Sequence, residues 1–227
     1  MTRRLFRNPL THLVLAILVI GLVQLFFVKI FAVPSPSMES TLDIGDRLVV
    51  NRTAYWTSSP QPGDVVVFAA GSGWPSNTPP SPAWKKIIKG AAGALGYGSG
   101  NEHYLVKRVI GTAGDHVGCC NQQGQVLVNG DPLNEPYIYQ DYPFVPGKLD
   151  CETAQVSLRC FPTVTVPTGK LLMLGDHRSN SNDSVYACRG GNPDISSAGC
   201  AKWASADHVV GQVGGIVWPL NRLGGVR

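Results

Sequence analysis

The chain opens on a polar, basic start and then turns apolar from Leu10 to Val33, where only His12, Gln24 and Lys29 interrupt strongly. As one helix these 24 residues would span roughly 36 Å, enough to cross a hydrocarbon core of about 30 Å with some tilt. Lys29, near the far end, could then snorkel to the headgroups. Beyond residue 33 the pattern changes to short apolar runs divided by turns. The runs Arg47–Arg52 (RLVVNR), Asp64–Ala69 (DVVVFA), His103–Ile110 (HYLVKRVI), Gln125–Asn129 (QVLVN) and Lys170–Leu174 (KLLML) predict strands. Val209–Trp218 (VVGQVGGIVW) predicts another, broken by glycines. The turns between them are PGD at 62–64, GTAGD at 111–115, NGD at 129–131 and PTG at 167–169. No further long helical periodicity stands out, so the expectation is a mainly antiparallel β domain behind one membrane helix.

Three segments read as Gly-, Pro- and Ser-rich insertions, near 71–82, 90–101 and 189–199. The implied organisation is a basic N-terminus (1–9), a transmembrane signal anchor (10–33) and a β domain (34–227).

Charge sharpens this division. Of a formal net charge of +4, Arg3, Arg4, Arg7 and Lys29 supply all four units, and the remainder balances 15 basic against 15 acidic residues. A nucleic-acid partner is therefore not expected, because no basic excess exists outside the anchor. The N-terminal arginines place that end in the cytoplasm by the positive-inside rule, and the β domain outside it. The run is long for a signal-peptide core, and the AVPSPS that follows offers no small-x-small site free of proline. A retained single-pass anchor is the expectation.

Six cysteines fit an exported domain. No C-x-x-C pair occurs, which argues against a zinc ribbon. Cys151 with Cys160 and Cys188 with Cys200 close simple loops. That pairing leaves the neighbours Cys119 and Cys120, whose mutual bond departs from ordinary disulfide geometry.

Chemistry concentrates in three places. In PSPSMES (34–40) each proline fixes its own φ and holds the preceding residue extended, which suits a hydroxyl presented in one direction. A serine nucleophile needs a base. The histidines His12, His103, His116, His177 and His208 form no recognisable triad pattern, and no G-x-S-x-G elbow occurs. Lys107 and Arg108 instead sit inside an apolar strand, where alternation sends them to opposite faces. A lysine held against apolar neighbours loses hydration and its pKa falls, as a lysine base requires. The third place is LGDHRSNSNDS (174–184), dense in groups that could orient a buried amine.

Together these stretches resemble the bacterial type I signal peptidases, membrane-anchored Ser/Lys proteases of peptidase family S26. The matching segments are PSPSMESTL (34–42), GDRLVVNR (45–52), PGDVVVF (62–68), YLVKRVIGTAGD (104–115) and GDHRSNSNDS (175–184), in the family's order. The resemblance implies Ser37 as nucleophile and Lys107 as general base, with Arg108 pointing elsewhere. It implies Ser35 and the Ser37 N–H as the oxyanion hole and Ser181 as the hydroxyl that orients the lysine. Asp176, Arg178 and Asp183 are implied as supporting residues. It further implies cleavage after small residues in Ala-x-Ala sites, with no metal and no organic cofactor. The implied partners are signal peptides of exported preproteins and membrane lipid, with the secretion translocase as a candidate neighbour.

Val33, Met38, Leu42 and Val106 are the pocket candidates, by proximity to the two catalytic positions. Ser37, four residues past Val33, would lie within roughly 13 Å of the helix end. Three positions depart from the family pattern. Ser40 and Ala113 stand where proline is usual, as changes of loop rigidity. Val185 stands where a basic residue often follows, removing an expected partner of Asp183. The alternative from another class is a catalytically inactive, membrane-tethered paralogue that binds exported peptides.

Overall fold

The computed structural model describes residues 8–71, 73–74, 82–94, 102–190 and 199–226. Arg3, Arg4 and Arg7 lie outside them, as do most residues of the three expected insertions. Helix α1 runs Pro9–Phe26, with the Asn8 side chain accepting from the Leu10 N–H and proline at its first position. Its 18 residues have a mean hydropathy of 2.2, and Gly21 alone is buried. At 1.5 Å per residue it spans about 27 Å, close to a hydrocarbon core.

The apolar run does not stay helical to Val33. Val28–Ala32 forms strand β1, paired antiparallel with β2 (Arg47–Asn51). Alternation explains the switch: Lys29 and Phe31 point inward while Ile30 and Ala32 are exposed. Lys29 therefore does not snorkel at a helix end. It is buried, and its ammonium lies 5.5 Å from the ring centroids of Phe31 and Tyr104. Ser37 is thus eleven residues beyond the end of α1 rather than four beyond it.

The remaining elements are β3 (Val65–Ala69), α2 (Ala83–Ala94), β4 (Tyr104–Gly111), β5 (His116–Cys119), β6 (Val126–Val128), β7 (Asp131–Pro132), β8 (Phe161–Thr165), β9 (Lys170–Leu174), β10 (Ala204–Ser205), β11 (Val209–Trp218) and β12 (Gly224–Gly225). The strands build two sheets. The larger has the order β1-β2-β11-β3-β4-β9-β10, with β12 on β11, and the smaller has the order β7-β6-β5-β8. All pairings among the described residues are antiparallel.

The sheet's centre explains its stability. Val65, Val66, Val67 and Phe68 of β3 are all buried, because both faces of the strand are covered. Val65 and Val67 join Met38, Leu42, Leu48 and Val50 in one core, while Val66 and Phe68 join Val109, Met173 and Trp74 in another. Each such side chain is worth about 1.5–3 kcal/mol on burial. Trp74, inside an expected insertion, packs its ring edge-on to Phe68 at 5.1 Å and belongs to the core. The glycines of β11 serve close approach: a Cβ at Gly211 would lie 2.2 Å from the Asn51 carbonyl oxygen. Helix α2 was not expected from the sequence, and part of it falls where a Gly-rich loop was anticipated.

Cys151–Cys160 and Cys188–Cys200 are disulfides, as the simple loops suggested, and the adjacent Cys119 and Cys120 are bonded to each other.

Candidate active site

Ser37 sits on a single 3-10 turn, Pro36–Met38, preceded by Ser35 in extended conformation (φ −138°, ψ 155°). Proline at the turn's first position presets φ and holds Ser35 extended. The Glu39 N–H donates to the Pro36 carbonyl at 3.0 Å and the Leu42 N–H to the Met38 carbonyl at 2.7 Å, so the turn is tied down behind the serine. Ser40 has φ 77°, a left-handed conformation closed to proline. Its replacement of the family's proline is therefore a change of turn geometry, not of rigidity alone.

Lys107 reaches this turn from β4. Its Nζ donates to Ser37 Oγ at 2.5 Å and to the Val106 carbonyl at 3.1 Å. Lys107 is 3% exposed and Ser37 8%. Burial brings the lysine's pKa down from 10.5 to about 8, against the opposing pull of the Asp183 and Asp176 carboxylates. Ser35 Oγ lies 3.5 Å from Ser37 Oγ. The structure thus brings Ser35, Ser37 and Lys107 together.

Arg108 does point elsewhere. Its Nε and one terminal nitrogen donate to the two oxygens of Asp176 at 2.9 and 2.7 Å, and the other donates to the Gly63 carbonyl at 2.9 Å. Its guanidinium carbon stacks 3.8 Å from the Tyr137 ring centroid. Thr41, from the serine's own segment, donates to Asp176 at 2.6 Å. Asp176 therefore links β4, the serine loop and the strand end at β9.

Arg178 is held in a buried bidentate pair with Glu135 and donates from Nε to the Gly175 carbonyl at 3.1 Å. Asp183 accepts from the N–H groups of Gly175 and Val185 at 3.5 and 3.3 Å. Its missing basic neighbour at position 185 is replaced from four residues further on: Arg189 places a terminal nitrogen 3.5 Å from the Asp183 carboxylate. The side chain of that arginine is itself buried, facing the rings of Tyr142 and Phe161 at 5.2 and 5.7 Å. Val185 meanwhile belongs to the core.

Gly175 joins this loop to the serine. A Cβ there would fall 2.4 Å from the Ser37 carbonyl oxygen and 2.3 Å from Ser181 Oγ, so a side chain does not fit. The His177 N–H donates to the Ser37 carbonyl at 3.2 Å, and its ring meets Glu39 at 3.0 Å.

Two expectations are corrected. Ser181 Oγ is buried against Gly175 with no hydrogen-bond partner, so the orienting bond to Lys107 is not part of this geometry. Met38 and Leu42 are 1% and 0% exposed and Val33 is 4% exposed, all in the core beside β2 and β3, where they offer almost no surface to a ligand. Val106 remains half-buried at that core's edge. Glu135, Thr41, Tyr137 and Arg189 escaped the sequence reading. The spacing between each and its partner carries no local signal.

This architecture and site define a class: a β-sheet domain behind one apolar helix, with a buried serine and lysine in contact. The family model for signal peptidases, peptidase S26, matches residues 6–218. The chain is 36% identical over 229 aligned residues to a probable signal peptidase I of Mycobacterium leprae (strain TN), covering 94% of this chain and 77% of the relative. It is 34% identical to the signal peptidase I of Mycobacterium tuberculosis (strain H37Rv), covering 94% and 73%. A signal peptidase I of Leptolyngbya laminosa is 30% identical, covering 89% and 74%. The chain belongs to the signal peptidase family, peptidase S26.

Proposed function

We propose that this chain removes N-terminal signal peptides from exported preproteins, with Ser37 as nucleophile and Lys107 as general base. The observation that carries this reading is the 2.5 Å contact between Lys107 Nζ and Ser37 Oγ, both buried. In the neutral lysine the polarity of that contact reverses. The Ser37 hydroxyl donates to the amine lone pair, and the proton moves to Nζ as Oγ attacks the scissile carbonyl. The oxyanion forms against the Ser35 hydroxyl and the Ser37 N–H. A donor so placed is commonly worth about 3–4 kcal/mol in the transition state. The lysine then returns its proton to the leaving amine, and water hydrolyses the acyl-enzyme at the same serine.

Small residues are the expected preference before the cut, as in Ala-x-Ala, with Val106 as the pocket wall that keeps some surface. Asp176, Arg178 and Asp183 support the site by fixing the loop that carries Gly175. Ser181 abuts that glycine beside the Ser37 carbonyl. Helix α1 is the anchor, with its N-terminus cytoplasmic and the β domain on the outer face of the membrane. Three disulfides accord with an oxidising compartment.

The test is cleavage of a preprotein carrying an Ala-x-Ala site in detergent, by wild type and Ser37→Ala in parallel. Cleavage after the second alanine by wild type alone is the expected result. Lys107→Arg should also be inactive, because guanidinium stays protonated. Appreciable cleavage by either variant would overturn the assigned pair. Binding of the preprotein by a folded wild type that never cuts it would favour the non-catalytic paralogue instead.

A further inference from the structure

The connection between β3 and β4 carries α2, and its sequence AWKKIIKGAAGA is divided cleanly by helical geometry. At about 100° per residue, Trp84, Ile87, Ile88 and Ala91 fall on one face and Lys85, Lys86 and Lys89 on the other. The helix contains no acidic residue. The apolar face is not packed into the domain: Trp84, Ile87 and Ile88 are 60%, 72% and 60% exposed. Large apolar side chains aligned in this way mark a surface that is covered in the working protein.

The place from which α2 is hung identifies what covers it. Ala69, the last residue of β3, and Tyr104, the first of β4, line a cavity of about 450 Å³ together with Phe26, the last residue of α1. The strand ends flanking α2 therefore sit where the apolar helix joins the domain. Trp56 lines the same cavity, and its ring lies 6.1 Å from that of Phe27. Both are more than half exposed, an aromatic pair of the kind that settles at a membrane–water boundary.

We propose that α2 lies in the plane of the bilayer that α1 crosses. Its Trp84, Ile87 and Ile88 are immersed at the acyl boundary, and Lys85, Lys86 and Lys89 are directed to anionic phospholipid headgroups. A second copy of the helix fits less well, because it would set three lysines against three lysines on helices that contain no acidic residue of their own. The inference rests on α1 as the anchor and is independent of the peptidase chemistry.

The full chain, reconstituted in vesicles of mixed phosphatidylcholine and phosphatidylglycerol, tests it. Nitroxide labels are placed at Ile87→Cys or Lys89→Cys, and unchanged thermal unfolding in detergent confirms that each labelled chain is folded. Position 87 should lose relaxation by a water-soluble nickel chelate and gain relaxation by oxygen, while position 89 keeps its nickel relaxation. Vesicles of phosphatidylcholine alone, or Lys85→Gln/Lys86→Gln/Lys89→Gln in the mixed vesicles, should weaken that loss. Equal nickel relaxation at 87 and 89 would overturn the proposal. Shielding at 87 that grows with protein density and comes with label–label broadening would overturn it too, in favour of a second copy. Equal immersion without anionic lipid would remove the headgroup contribution.

Discussion

Replacing Lys107 with methionine should abolish cleavage and remove the rise of stability with pH that the buried lysine imposes on the fold. The wild-type lysine is 3% exposed, and its pKa is lowered from 10.5 to about 8. That gap corresponds to about 3 kcal/mol of folding free energy lost whenever the lysine must be charged. Below about pH 8 both the folded and unfolded chains hold the proton, so the cost is present in full. Between about 8 and 10.5 the unfolded chain still holds a proton that the folded chain has shed, and wild-type stability rises with pH. Above 10.5 the cost is gone.

Methionine is unbranched, of similar length and uncharged, so it removes the cost at every pH. It also leaves the Ser37 hydroxyl and the Val106 carbonyl without this partner, at about 1–3 kcal/mol each. The expectation is that wild type gains about 3 kcal/mol on the variant between pH 7 and pH 10.5, and is the more stable of the two above pH 10.5. Denaturant unfolding in detergent across that range measures both. A stability difference between the two that stays constant across that range would refute the argument that burial dominates at this lysine.

As the proposed base, the same lysine should set the acid limb of kcat/KM, with a bend near pH 8 and a fall of about tenfold per pH unit below it. A limb centred well below pH 7 would point to another base. Arg189→Gln should move the bend to higher pH, because it leaves the Asp183 carboxylate less compensated and strengthens its hold on the protonated lysine; Arg189→Lys should largely restore it. A lower rate with an unmoved bend would assign Arg189 to packing alone. Asp176→Asn should cost about 3–5 kcal/mol in thermal or denaturant unfolding, because it strands a guanidinium that is 2% exposed. A cost below about 1 kcal/mol would show that the Gly63 carbonyl and the Tyr137 ring suffice to hold Arg108.

Strands that announce themselves by apolar runs between turn signals were legible: RLVVN, VVVFA and KLLML stand where the pattern put them. Strand β1 was hidden because five residues of an apolar run look alike whether they continue a helix or leave it, and only the sheet partner at Arg47–Asn51 decides. Strand β8, FPTVT, carries a proline and little apolar weight, so it takes its conformation from β5 beside it. Helix α2 did carry a signal, Trp84, Ile87, Ile88 and Ala91 at helical spacing, but the glycines and alanines after it masked the period. At the site, Ser37 and Lys107 were readable because each lies in a distinctive local motif. Of their supports, Asp176, Arg178 and Asp183 were named from the motif they share, and the residues that hold these three were not. Thr41 meets Asp176 across 135 positions and Glu135 meets Arg178 across 43, so no local pattern could record either contact.

Those supports explain how a lysine can stay poised beside acids. Two carboxylates, Asp176 and Asp183, act on Lys107, and unopposed they would hold its proton. Each is turned towards an arginine instead, Asp176 to Arg108 and Asp183 to Arg189, while Glu135, a third carboxylate of the supporting network, is committed to Arg178. The field at the lysine is then that of ion pairs, which falls off faster with distance than that of bare charges. Burial is left as the larger influence, and it favours the neutral amine. On this reasoning the arginines need not touch substrate to matter. Loss of any one leaves a buried carboxylate uncompensated, and for Asp176 and Asp183 the penalty reaches Lys107 itself.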